Sequence, residues 1–213
     1  MIVDERIVTY INSLEKENSE LLEKIEQEAL EAFIPIIKKE SQSFLKVLLK
    51  IHKPMSILEV GTAVGFSALL MCENAHEDCK ITTIENYHKR IPEALENFKR
   101  LGKESQIKLI QGDAKEVLKE LSEQYDFIFM DAAKAQYINY LPDVLRLLRP
   151  GGILLSDNVL YDGDIVSSRY AIEKRNRTIH DRMREYLYLL KNHEELETSI
   201  IPIGDGMAVS YKR

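Results

Sequence analysis

Four acidic residues close apolar runs along the chain: Glu59 after Ser56-Ile-Leu, Glu85 after Ile81-Thr-Thr-Ile, Asp131 after Phe127-Ile-Phe-Met, and Asp157 after Ile153-Leu-Leu-Ser. Glu59 leads into Val60-Gly61-Thr-Ala-Val-Gly65-Phe-Ser67, two glycines four apart ahead of a helical pattern. Glycine lets backbone approach a ligand closely, and a new helix offers unpaired N–H groups to an anion. A second kind of chemistry sits in Asp131-Ala-Ala-Lys134 and Asp157-Asn158. Two carboxylates and an amide oxygen converging at neighbouring strand ends form a hard, all-oxygen donor set that suits Mg²⁺. Zinc is disfavoured, because no Cys or His stands at ligand spacing. The five histidines, His52, His76, His88, His180 and His193, are scattered and read as surface residues.

These residues meet only if the strands that carry them lie side by side. Apolar runs predict strands at Ser56–Val60, Lys80–Ile84, Ile107–Gln111, Asp126–Met130, Gly152–Ser156, Glu197–Ile201 and Met207–Tyr211. Helical periodicity fills the gaps between the first six, so the early strands run parallel through right-handed crossovers. Only Pro202-Ile-Gly-Asp-Gly206 separates the last two strands. That is too short for a crossover, and the seventh strand must return antiparallel. Ahead of the sheet, residues 1–53 are helical, with Ile11, Leu14, Leu21, Leu22 and Ile25 at three- to four-residue intervals. Asn18-Ser19 reads as a break with an N-cap, and Pro35 opens or interrupts the next segment. The expectation is one α/β domain: N-terminal helices over 1–53 and a Rossmann-like core over 54–213, with a seven-stranded, mostly parallel sheet. The terminal hairpin is unlike a dehydrogenase.

Composition narrows the function. Apolar residues make up 45% and charged residues 30% of 213, an ordinary globular balance. A net charge of −6 argues against a generally basic nucleic-acid coat while leaving room for a local basic patch. No apolar run approaches the ~20 residues that span a bilayer, and Met1-Ile-Val-Asp-Glu lacks the pattern of a signal peptide. Cys72 and Cys79 fit no metal or redox motif and read as reduced thiols of a cytoplasmic protein.

Glu59-Val-Gly61-Thr-Ala-Val-Gly65, Glu85 and Gly112-Asp113-Ala114 together resemble the class I S-adenosylmethionine (SAM)-dependent methyltransferases. The resemblance implies SAM as cofactor, and the residues agree with it. Glu85, about twenty residues beyond the glycine turn, can accept both ribose hydroxyls. The Gly61–Gly65 turn leaves room for the methionine part, Ser67 can bind its carboxylate, and Asp113-Ala114 lie where adenine would sit. Each residue also has a purely structural reading: Gly61 as a turn, Glu85 as a helix cap, Asp113 as an N-cap. The family's methionine after Pro-Ile in the N-terminal region is replaced by Ile37 after Pro35-Ile36, a departure at that cofactor contact.

The pairing of Asp131-x-x-Lys134 with Asp157-Asn158 resembles the cation-dependent O-methyltransferases of the catechol and caffeoyl-coenzyme A type. That resemblance implies a metal held by Asp131, Asp157 and Asn158, Asp131 also at the cofactor, and Lys134 assisting deprotonation. A divalent cation bound by two adjacent substrate oxygens lowers a hydroxyl's pKa and fixes its approach to the sulfonium methyl. Lys134 can take the proton if cations and burial depress its own pKa.

The acceptor is read from segments outside this pattern. Between Arg169 and Arg184 stand Arg169, Lys174, Arg175, Arg177, Arg182 and Arg184, six cations against Glu173 and Asp181, a local charge of +4. This is either a solvated helix face or a phosphate-contacting surface for RNA. Asp131-Ala-Ala-Lys-Ala-Gln-Tyr137, Asp157-Asn-Val-Leu160 and Ile200-Ile-Pro-Ile-Gly-Asp-Gly206 make the whole chain similar to bacterial tRNA 5-hydroxyuridine methyltransferases. That similarity implies a 5-methoxyuridine product at the wobble position, tRNA bound through Arg169, Lys174, Arg175 and Arg177, and a homodimer. The C5 hydroxyl and C4 carbonyl of 5-hydroxyuridine are vicinal oxygens, as in a catechol. The alternatives are a small catechol-like phenol as acceptor, a non-catalytic RNA-binding module, and a dehydrogenase.

Overall fold

In a computed structural model, which describes residues 2–213 apart from the side chain of Asp162, seven strands pair into one sheet. They are β1 (Ser56–Val60), β2 (Lys80–Glu85), β3 (Ile107–Gln111), β4 (Tyr125–Met130), β5 (Leu148–Ser156), β6 (Leu196–Ile201) and β7 (Met207–Lys212). Their order is β3-β2-β1-β4-β5-β7-β6, with β7 antiparallel to both of its neighbours and the other pairs parallel. The chain is thus a Rossmann-like α/β fold with antiparallel C-terminal strands, as the short Pro202–Gly206 connection requires. Met1, the first residue of the stretch read for a signal peptide, lies outside the described residues. Among those residues, no helix is long and apolar enough to cross a membrane.

Strand centres match expectation, four strand ends reach one residue further, and one differs by more. β5 begins at Leu148, four residues earlier than expected. The Arg149-Pro150-Gly151 run masks that extension in the sequence, and the pairing with β4 shifts register between Tyr125 and Phe127.

Alternation along the strands divides the core in two. Phe127 and Phe129 of β4 pack with Leu22, Ile25, Leu45 and Leu49 from the N-terminal helices and with Phe66 and Leu69. Ile128 and Met130 face the other way, onto Tyr137, Val144, Met183 and Tyr186. The first layer contains α2 (Glu20–Glu31), α3 (Lys39–His52), α4 (Phe66–Asn74) and α5 (Arg90–Arg100), with α1 (Glu5–Ser13) against α3. The second contains α6 (Ala114–Glu120), α7 (Tyr137–Leu147) and α8 (Arg177–Asn192). Ser19 does cap α2, its Oγ accepting the Leu22 N–H at 3.4 Å.

The reading of all five histidines as surface residues needs correction. His180 is 2% exposed, on the inner face of α8, with Nε2 3.1 Å from the Ser167 carbonyl. His52 is half-buried and bonds the Asp126 carbonyl at 2.9 Å.

Candidate active site

Strand order reverses between β1 and β4, and that is where an open α/β sheet leaves a crevice at its carboxyl edge. A cavity of about 700 Å³ lies there, walled by the strand ends on one side and by residues 34–38 ahead of α3 on the other. Gly61, Ser67, Glu85, Ala114, Asp131, Lys134, Asp157, Asn158 and Ile37 all line it.

The glycine turn is dictated by close approach. Gly61 has φ +102°, and a Cβ there would stand 2.0 Å from the Asp131 carbonyl oxygen. Gly65 has φ +81°, and a Cβ would meet the Phe98 ring at 2.4 Å. Glu85 is tied to this turn. One carboxylate oxygen accepts the N–H groups of Thr62 (3.2 Å) and Ala63 (2.8 Å), and the other those of Asn86 (2.9 Å) and Tyr87 (2.8 Å). The carboxylate still faces the cavity, where a ribose diol would meet it.

Three residues expected at the cofactor are placed differently. Glu59 is fully buried and absent from the cavity wall. Its carboxylate accepts hydrogen bonds from Ser67 Oγ and Thr83 Oγ1, and burial pushes its pKa up to about 8. It fastens α4 to β1, and the Ser67 hydroxyl proton is committed to it. Gly65 lies behind the wall against Phe98, and Asp113 caps α6, its carboxylate accepting the Lys115 N–H at 2.9 Å. In the second and third cases it is the neighbours, Thr62-Ala63 and Gly112 with Ala114, that face the cavity.

Asp131 and Asp157 each sit one residue beyond the end of their strand, β4 and β5. Asn158 follows with φ 62°, in the left-handed region that Asn tolerates better than most residues. Its amide nitrogen lies 3.1 Å from Asp131 Oδ1, and its backbone N–H donates to Asp157 Oδ1 at 2.7 Å. Among the described residues no three His, Cys, Asp or Glu side chains form a metal-ligand group, so a cation here depends on the Asn158 amide oxygen as third donor. Burial raises the pKa of both aspartates, and the charge of Asp131 raises that of Asp157 further. Concentrated, under-compensated negative charge in an all-oxygen pocket fits a hard divalent cation. Lys134, on a 3₁₀ turn (Lys134–Gln136), is the nearby cation that lowers both pKa values, and its Nζ stands 5.1 Å from the centre of the Tyr161 ring.

Asp205 and Lys38 are among the wall residues that were not singled out as site residues in the sequence. Asp205, in the β6–β7 turn, raises the pKa of both Asp131 and Asp157 and pairs with Lys38. Its backbone explains the placement: the Asp205 and Gly206 carbonyls accept the N–H groups of Leu160 (3.0 Å) and Val159 (2.9 Å), just past Asn158. The Gly204-Asp-Gly206 run gave a turn signal, and that signal hid the carboxylate.

With this geometry, the comparison with known proteins is decisive. A family model described as O-methyltransferase matches residues 12–213. The chain belongs to that O-methyltransferase family. Caffeoyl-CoA O-methyltransferase 2 of Populus trichocarpa is 31% identical over 173 residues, covering 78% of this chain and 70% of that protein. A catechol O-methyltransferase of Niastella koreensis is 35% identical over 127 residues, 58% of each chain. A Podospora anserina methyltransferase solved with SAH superposes with a TM-score of 0.87 at 26% identity, covering 98% of this chain and 94% of that one.

In this O-methyltransferase several side chains of the basic stretch have partners within the chain. Arg177 Nε donates to the Ile172 carbonyl (3.1 Å), Arg184 to that of Ile165 (2.9 Å) and Arg182 to that of Ala135 (2.9 Å). Arg169 pairs with Asp181 and Arg175 with Glu173. Arg177, Arg182 and Arg184 therefore act first as hooks that hold the segment beyond Asn158 and the Lys134 turn.

Proposed function

We propose that the protein transfers a methyl group from SAM to a hydroxyl that has a second oxygen beside it, with a divalent cation held by Asp131, Asp157 and Asn158. One observation carries this reading: those three side chains open onto the same cavity as the Gly61 turn and Glu85. The SAH found in the Podospora relative supports SAM as methyl donor. The Gly61–Ala63 backbone and Glu85 seat the ribose and methionine portions, and Ala114 lies beside the adenine. A bound divalent cation lowers the pKa of an acceptor hydroxyl and orients two vicinal oxygens. Lys134, as the free amine after losing its own proton to solvent, would receive the hydroxyl proton, and residues 34–38 shield the reacting atoms from water.

A small catechol-like phenol is the acceptor that the named relatives favour. A second reading, 5-hydroxyuridine at the tRNA wobble position with 5-methoxyuridine as product, is supported by the cations beyond Asn158 that are not hooked to backbone. The Arg175 and Arg169 side chains are 81% and 57% exposed, and both lie with Lys174 on the segment that follows Asn158. A homodimer is proposed on the same family likeness. With Cys72 and Cys79 both free and buried, a reducing cytoplasm suits the chain.

The test supplies SAM and Mg²⁺ with three acceptors: tRNA carrying 5-hydroxyuridine, catechol, and plain phenol. Mass spectrometry should show methylation of one or both vicinal-oxygen acceptors and none of phenol. Equal transfer to phenol would refute the vicinal-oxygen requirement, and the better of the first two names the acceptor class.

A further inference from the structure

Tyr137 opens α7, is completely buried, and touches neither the cavity nor any reacting group. Its hydroxyl oxygen accepts the Ala132 N–H at 3.2 Å and lies 3.1 Å from the Met130 carbonyl and 3.1 Å from the Asp157 carbonyl. Those three backbone groups flank or carry the two aspartates: Met130 and Ala132 stand on either side of Asp131, and the third belongs to Asp157 itself. The Asp157 N–H also donates to the Met130 carbonyl at 3.0 Å, the last rung of the β4–β5 ladder. Beyond that rung the sheet ends, and nothing in strand pairing fixes the spacing of the two carboxylates.

We propose that the Tyr137 hydroxyl is a pin that sets the separation of Asp131 and Asp157, and so acts as a positioning residue for the divalent cation. The inference rests on the metal reading above. One hydroxyl proton serves two carbonyls, one on each strand end, while the oxygen lone pair holds the amide between Asp131 and the Lys134 turn. Burial keeps the phenol protonated, its pKa well above the ordinary tyrosine value. The ring is fixed from behind by Tyr186, edge to face at 5.5 Å between centres and 77° between planes. Tyr186 provides an internal comparison. It is equally buried, but its hydroxyl bonds the Ser156 side chain at 2.6 Å rather than ligand-bearing backbone.

Outer-shell groups that orient metal ligands typically change metal affinity about 10- to 100-fold when removed. Mn²⁺ serves as the probe, its binding followed by electron paramagnetic resonance with SAH present, in the full chain and in Tyr137→Phe and Tyr186→Phe. Tyr137→Phe should weaken Mn²⁺ binding about tenfold or more while leaving SAH affinity unchanged, and Tyr186→Phe should leave Mn²⁺ binding as it was. Unaltered Mn²⁺ binding in Tyr137→Phe, or equal weakening in both variants, overturns the pin. Amide exchange of the unsubstituted protein gives an arm that needs no variant: the Ala132 N–H should be protected, and fast exchange there overturns the proposal. If the unsubstituted protein binds no Mn²⁺, the metal reading falls, and the Ala132 exchange still decides whether Tyr137 holds the two strand ends together.

Discussion

Asp157 and Glu59 are both buried acids of the same sheet edge, and two residues of offset along the strands separate their roles. Asp157 stands just past β5 and turns into the crevice, whereas Glu59 is inside β1, where strand alternation aims it beneath α4. Asp157→Ala should therefore reduce methyl transfer by about 100-fold or more and leave SAH binding near its original strength, as calorimetry would show. Glu59→Gln should act on stability. The folded pKa of Glu59, pushed up by burial to about 8, exceeds the ordinary glutamate value of 4.5. Its contribution is present in full below the lower value and is lost as pH rises through the upper one, because the folded state binds the extra proton. Urea unfolding at pH 5 and pH 8 should show a smaller fall in stability for Glu59→Gln than for the unsubstituted protein. The placement of Asp131, Asp157 and Asn158 at neighbouring strand ends was legible from the apolar runs that precede them. The inward turn of Glu59 was not, because the motif does not show that Ser67 and Thr83 take its carboxylate.

At the scale of elements, the glycine turn and α8 position the site from opposite sides. Gly61→Ala combines a left-handed backbone with a collision against Asp131, and should cost about 3 kcal/mol of stability in denaturant unfolding. On α8, Arg177, His180 and Arg184 follow an i, i+3, i+7 spacing and bond the carbonyls of Ile172, Ser167 and Ile165, a ladder along one helix face. Arg184→Met removes one rung worth roughly 1.5–3 kcal/mol. Protease cleavage within residues 165–172 should accelerate about tenfold, with SAH affinity unchanged. The strands and their directions were legible from apolar runs and connection length. The ladder was not, because a helical row of arginines looks the same whether it faces solvent or a neighbouring loop's carbonyls.

The whole molecule carries −6, yet the segment that follows Asn158 is basic, so the acceptor's size and charge decide what that segment is for. If the acceptor is tRNA, Lys174→Glu with Arg175→Glu should weaken its methylation and flatten the salt response, while catechol methylation stays constant, since each phosphate contact contributes through released counterions. Equal loss with both acceptors would mean that the segment is only a wall of the site. Whatever the acceptor, the proposed reaction gives the work of activation to a cation between two strand ends. Methyl transfer from SAM to catechol should be followed with EDTA and then with Mg²⁺ restored. Turnover should vanish with the chelator and return with the metal while SAH binding holds steady; turnover indifferent to EDTA would contradict a cation at Asp131, Asp157 and Asn158.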